Sequence, residues 1–267
     1  MESHLLPYKH SFVHYLKFGH GTKFLFCFHG YGEDAQSFSF LRTALGNDYT
    51  LIAIDFPYHG KTEWNEGLDF TPDDLQLIIN SIVPLELQTI SLLGYSMGGR
   101  IALAMLQHIP AKIERVVLVA PDGLHKNFWY WFSTQTSVGN KLFDYTMKKP
   151  HWFFSGMTFL KTFRLLNKSI FKFAHAYLDD KAEREMLYKR WTTMRKFLPD
   201  ASLITSALKQ FQIPLRMLFG SYDRVILAER STSLDKANDT ITVKKIKAGH
   251  QLLKIKYSKD IAALFYE

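Results

Sequence analysis

Short apolar runs bounded by turn residues recur along this chain, separated by stretches of helical periodicity. Phe24 to Phe28, Leu51 to Ile54, Thr89 to Leu93, Val116 to Val119 and Leu215 to Phe219 are almost continuously apolar. Such runs belong to strands buried on both faces of a parallel sheet. His10 to Phe18 mixes Phe12, Tyr15, Leu16 and Phe18 with polar residues and predicts an opening edge strand, and Thr240 to Ile246 alternates like a last one. Between them, Ser37 predicts the cap of a helix to Leu45, and Thr71-Pro72-Asp73-Asp74 the start of a helix to about Ile82. Further helices are predicted over Arg100 to His108, from about Leu227, and over Leu252 to Tyr266. This alternation predicts an α/β fold, a mostly parallel sheet with helices on both faces.

The alternation breaks between residues 124 and 199. That segment has no strand pattern but has aromatic clusters, Phe128-Trp129-Tyr130-Trp131-Phe132 and Trp152-Phe153-Phe154, and mixed-charge helical text from Asp179 to Lys196. It predicts an insertion of three to five helices in a core made of residues 1–123 and 200–267. The formal charge of the chain is +8. Fourteen Lys and Arg against five Asp and Glu lie between 124 and 199, so the insertion carries the whole excess.

Composition narrows the function classes. With 267 residues and 47% apolar content, one large domain with a substantial core is expected. MESHLLPYKH lacks a basic region followed by an apolar run, and no stretch approaches eighteen uninterrupted apolar residues, so a cytoplasmic location without membrane insertion is expected. The single cysteine, Cys27, lies in an apolar strand pattern and is read as a small buried hydrophobe. No His or Cys spacing calls for a metal, and no nucleic-acid-binding module is visible.

The chemistry concentrates on Thr89 to His108, TISLLGYSMGGRIALAMLQH. Ser96 sits in Gly94-Tyr95-Ser96-Met97-Gly98, between a strand and a helix, the context in which a sharp turn lifts a serine above the sheet edge. A serine hydroxyl is a poor nucleophile until a base takes its proton, and a carboxylate commonly holds that base. Asp223, in Gly220-Ser221-Tyr222-Asp223-Arg224, and His250, in Gly249-His250, follow later strands in the order this turn requires. Asp122 also follows a strand end and rivals Asp223 as the acid. His29 and His59 lie in loops near the same sheet edge and rival His250.

Together with His29-Gly30-Tyr31-Gly32 after the Phe24–Phe28 strand, these residues make the sequence resemble the α/β-hydrolase superfamily over essentially the whole chain. The resemblance implies the fold of that family, a catalytic triad of Ser96, Asp223 and His250, an oxyanion hole of the Tyr31 and Met97 backbone N–H groups, and a helical cap at 124–199. It places His29 and His59 in structural positions. It needs no cofactor and no metal.

The implied activity is hydrolysis of a small carboxylic ester or related acyl compound through an acyl-enzyme. Tyr95 and Arg100 are candidate substrate contacts. Arg100, one helical turn after Ser96, is read either as tied to a neighbouring carboxylate or carbonyl, or as an anion contact. Tyr95-Ser96-Met97-Gly98-Gly99-Arg100 is also similar to the elbow of the family's menaquinone-pathway synthase (MenH type), a lyase that eliminates pyruvate. Proton abstraction from an anionic substrate is therefore the alternative, and non-catalytic ligand binding a second one. The expected partner is a small acyl substrate, with peripheral membrane contact through the basic cap left open.

Overall fold

The structure, a computed structural model, describes residues 1–86, 88–125, 127–162, 178–231, 234 and 239–267. It divides into two compact units, one of residues 1–125 and 196–267 and the other of residues 126–195.

The larger unit is built on an eight-stranded sheet. Strands β1 (Glu2–Tyr8), β2 (Ser11–Phe18), β3 (Lys23–Phe28), β4 (Tyr49–Ile54), β5 (Ile90–Tyr95), β6 (Ile113–Val119), β7 (Leu215–Gly220) and β8 (Ile241–Ile246) lie in the order β1-β2-β4-β3-β5-β6-β7-β8. The pairs from β4 to β8 are parallel, and β1 and β2 are antiparallel additions at one edge. The carboxyl ends of β3 through β8 therefore share one sheet edge, and the loops that leave them meet there.

Side chains of alternating parity cover the two faces. Leu25, Cys27, Leu51, Ala53, Leu93, Val117, Val119 and Leu218 point to one face, against Phe38, Leu41 and Leu45 near α1 (Arg42–Leu45) and Ile261 and Leu264 of the C-terminal segment. On the other face α3 (Met97–His108) packs on β3, β5 and β6, with α2 (Pro72–Ile82) and α8 (Ala201–Phe211) beside it. Helices thus lie on both faces of a mostly parallel sheet.

Several boundaries depart from the sequence pattern for identifiable reasons. β1 was not foreseen, because an edge strand with mostly exposed side chains shows little apolar signal. The segment after β3 opens at Asp34, whose carboxylate accepts from the Gln36 amide, and runs as 3-10 helix over Ala35–Leu41 before α1, so Ser37 lies inside it and is not its cap. Leu252 to Tyr266 is not one helix. Leu252 and Leu253 are buried in non-helical chain, and α9 covers only Ser258–Ala263. α2 begins as predicted, with Thr71 and Asp74 forming a reciprocal capping box. The helix expected from about Leu227 begins as 3-10 helix at Ala228–Ser231, and much of its continuation lies outside the described residues.

The smaller unit is helical where it is described: α4 (Phe128–Gln135), α5 (Ser137–Lys148), α6 (His151–Thr162) and α7 (Lys181–Thr193). Residues 163–177 of the insertion lie outside the described residues. Buried Arg184 of α7 ties this unit together, its Nε donating to the Met147 carbonyl and its Nη1 to those of Leu178 and Asp179.

Candidate active site

Ser96 is held in a backbone conformation that a side chain rarely adopts, with φ 49° and ψ −114°. Its surroundings impose this. The Ser96 amide donates to the Val119 carbonyl of β6, and the Ser96 carbonyl accepts from Gly99 and Asp122. Glycine is required next to it: a Cβ on Gly98 would stand 1.9 Å from the Phe28 carbonyl oxygen, and one on Gly94 2.5 Å from that of Gly98. β5, turn and α3 are thus pressed together, and the serine hydroxyl is left partly exposed at the sheet edge.

The loops after β7 and β8 bring Asp223 and His250 to this hydroxyl. Ser96 Oγ lies 3.1 Å from His250 Nε2, and His250 Nδ1 lies 2.8 Å from Asp223 Oδ2. With Nδ1–H donating to the carboxylate, Nε2 is left to accept the serine proton. The other oxygen of Asp223, Oδ1, accepts from the Val225 and Ile226 amides at 2.7 and 2.9 Å. A buried carboxylate anchored in this way presents one fixed oxygen to the histidine.

The remaining candidates fall into place around this chain of bonds. Asp122, the rival acid, lies 3.7 Å from Arg100. Arg100 is buried on α3, and Asp122 is the neighbouring carboxylate that one of its two readings required. Tyr95, offered by the sequence as a substrate contact, is almost wholly buried. Its hydroxyl donates to the His250 carbonyl at 3.2 Å and its ring lies 5.6 Å from the imidazole, so it packs behind the histidine. Burial pushes its hydroxyl far above the usual tyrosine range, with Glu33 and Asp223 adding to the effect. Tyr31 stands in the loop after β3, and Met97 opens α3, where an amide has no carbonyl one turn back to bond. β3 and β5 are paired neighbours, so these two amides belong to adjacent loops.

The rival histidines are engaged elsewhere. His29 Nδ1 donates to the Gly30 carbonyl and its Nε2 accepts from the Phe56 amide, while His59 Nδ1 donates to the Pro57 carbonyl. Both rings are buried and brace the loops after β3 and β4.

Two features escaped the sequence reading. Glu33, one residue beyond His29-Gly30-Tyr31-Gly32, has a buried Oε2 without a hydrogen-bond partner. Desolvation raises its pKa, while a Gly30 backbone bond and the proximity of His250 act in the opposite sense. A charged residue next to a glycine-rich loop was the signal that marked it. The second feature is another Ser–His–Asp chain: Ser3 Oγ is 2.8 Å from His14 Nε2, and His14 Nδ1 is 2.7 Å from Asp55 Oδ2. Here Ser3 sits on regular strand β1, and Asp55 also accepts from the Ala35 and Lys61 amides. That chain ties β1 and β2 to the loop after β4. No cluster of His, Cys, Asp or Glu able to hold a metal occurs among the described residues.

Comparison with known proteins agrees with this architecture. The family model described as alpha/beta hydrolase fold matches residues 23–195, and the chain belongs to that family. "Uncharacterized hydrolase YugF" of Bacillus subtilis (strain 168) is 33% identical over 107 residues, 40% of this chain and 39% of that protein. The Bacillus subtilis (strain 168) protein named "Putative 2-succinyl-6-hydroxy-2,4-cyclohexadiene-1-carboxylate synthase" is 34% identical over 94 residues, 34% of each chain. The chain thus spans well under half the length of the curated relatives it matches. Among solved structures, a thermophilic esterase from Thermogutta terrifontis with malate bound superposes with TM-score 0.70 at 15% identity, covering 100% of this chain and 97% of that one. That likeness is one of fold.

Proposed function

We propose that this α/β-hydrolase is a serine hydrolase that cleaves a small carboxylic ester or related acyl compound through an acyl-enzyme. The observation that carries the reading is the unbroken chain of contacts from Ser96 Oγ through His250 to Asp223, with the serine on a strained strand–helix turn. His250 Nε2 takes the Ser96 proton as Oγ bonds to the acyl carbon. Asp223 holds the ring and stabilises the imidazolium. The Tyr31 and Met97 amides receive the oxyanion, and the N-terminus of α3 favours negative charge at that point. His250 then protonates the leaving alkoxide, the alcohol departs, and water deprotonated by His250 releases the acid.

The fold alone does not set this chemistry. A proton-abstracting lyase uses the same three residues, and the synthase relative supports that second reading. Pairing of Arg100 with Asp122 favours the hydrolase, because the charge that would hold an anionic substrate already faces a carboxylate.

A fluorophosphonate probe tests the proposal. The folded protein is expected to label at Ser96, with labelling abolished by Ser96→Ala. Absence of labelling, together with no turnover of short and medium acyl esters, thioesters or lactones above the Ser96→Ala control, would shift the reading to a ligand-binding role.

A further inference from the structure

Besides its own apolar cluster around Met147 and Leu178, the smaller unit leaves large apolar side chains on a side that a helical layer meeting only water would keep polar. α4 contains five consecutive aromatic residues, yet the only buried residue of the helix is Thr134. Its inward side is made by Tyr130, whose ring lies 5.3 Å from that of Trp191 and whose hydroxyl donates to the Trp191 carbonyl. Its outward side is a single cluster centred on Phe128, with ring centroids 5.4 Å from Trp129 and 6.1 Å from both Trp131 and Phe132. Phe128, Trp129 and Trp131 keep 60%, 71% and 47% of their surface in solvent.

Helix α5, packed against α4, repeats the arrangement. Gly139, Phe143, Thr146 and Met147 form its inner side, with the Phe143 ring edge-on to Tyr188 and tilted against Trp191 of α7. Val138, Leu142 and Tyr145, spaced i, i+4 and i+7, form an exposed apolar stripe. Lys141 and Lys149 are exposed beside it, the latter with Nζ 5.8 Å from the Tyr145 ring centre.

Charge distinguishes the occupants of this surface. Residues 126–195 contain thirteen Lys and Arg against five Asp and Glu, so this unit carries the whole formal charge of +8 and the rest of the chain is neutral. Two copies of such a unit repel each other, whereas an anionic bilayer attracts it. Tryptophan and tyrosine rings settle at the level of lipid headgroups, and lysines beside apolar residues suit the same boundary. We infer that the α4–α5 surface docks the protein on anionic phospholipid membranes, with the Phe128–Trp129–Trp131 cluster entering the headgroup layer and the basic charge supplying the attraction. No helix among the described residues is long and apolar enough to span a membrane, so the contact is peripheral.

Sedimentation of the full chain with vesicles tests the inference. Vesicles of phosphatidylcholine and phosphatidylglycerol should bind it and release it as salt rises, whereas vesicles of phosphatidylcholine alone should bind it at least about tenfold more weakly. Trp129→Ser with Trp131→Ser should weaken binding about tenfold, and Lys141→Gln about fivefold, with the far-ultraviolet circular dichroism and turnover of a soluble ester unchanged. Equal binding by the tryptophan variant and the unaltered chain would overturn the proposal, as would no binding to the anionic vesicles at low salt. Self-association of the unaltered chain that the tryptophan variant abolishes would assign the surface to a second copy and equally overturn it.

Discussion

Asp223 Oδ2 lies 2.8 Å from His250 Nδ1 while the other carboxylate oxygen is held by two backbone amides, whereas Asp122 lies against Arg100. The two acids that follow strand ends are therefore not equivalent. Asp223→Asn is expected to lower kcat by about 10³ to 10⁴, because the amide reverses the hydrogen bond that sets the imidazole tautomer. Asp122→Asn should leave kcat within about threefold, as half-buried Asp122 lies against Arg100 and not against His250. Steady-state hydrolysis of a short ester measures both, and a larger loss in Asp122→Asn than in Asp223→Asn would reverse the assignment.

Arg100 has a structural duty, being buried with Asp122 as its ionic partner. Arg100→Ala should destabilise the fold by about 2–4 kcal/mol, since the packing of a buried side chain is lost together with its ion pair. It should also change kcat/KM for neutral and anionic esters by the same factor. A rise in KM confined to anionic substrates would instead place the guanidinium against substrate and favour the lyase chemistry.

The Ser3–His14–Asp55 chain has triad-like distances and serves as a control for geometry without an elbow. Ser3→Ala should leave probe labelling and kcat unchanged and cost less than about 1 kcal/mol, Ser3 being exposed. His14→Ala should cost about 3 kcal/mol, because it strips a partner from the buried Asp55 carboxylate. Urea unfolding separates the two variants. Labelling of Ser3 by the probe would contradict this account.

Glu33 links stability to pH. Desolvation raises its folded-state pKa above the ordinary 4.5, so the folded chain holds this proton more tightly than the unfolded chain does. The stabilisation from the protonated carboxyl is complete below about pH 4.5 and is lost as pH rises through the raised folded value. Glu33→Gln mimics the neutral form. Its stability relative to the unaltered protein should therefore be near constant at acid pH and grow more favourable towards neutrality, as read by unfolding midpoints across that range. A gain that shrinks with rising pH would show that the carboxylate is the favoured form in the fold.

Much of this protein was legible in local patterns. Continuous apolar runs marked the buried parallel strands, because a strand covered on both faces has no polar side to display. Thr71 and Asp74 announced the start of α2 through backbone bonds they make themselves. The elbow was legible for the same reason: Gly94, Ser96 and Gly98 lie within five residues, and the close approach that excludes a Cβ at Gly94, to the Gly98 carbonyl, occurs where β5 turns into α3. Exposed β1 and the broken C-terminal helix were not, since their form depends on what they pack against.

The order of Ser96, Asp223 and His250 and the concentration of positive charge between 124 and 199 are properties of the sequence by itself. What only the tertiary structure shows is which of the two acids lies against His250, and strand order is the reason. β7 lies between β6 and β8 and pairs with β8 up to Gly220 and Ile246, so the Asp223 and His250 loops emerge side by side. The loop of Asp122 leaves β6, next to the strand that leads into Ser96, and its carboxylate turns to Arg100. Distance along a chain carries no information about adjacency across a sheet. For the same reason the second Ser–His–Asp chain, assembled from β1, β2 and the loop after β4, could appear only once the sheet was folded.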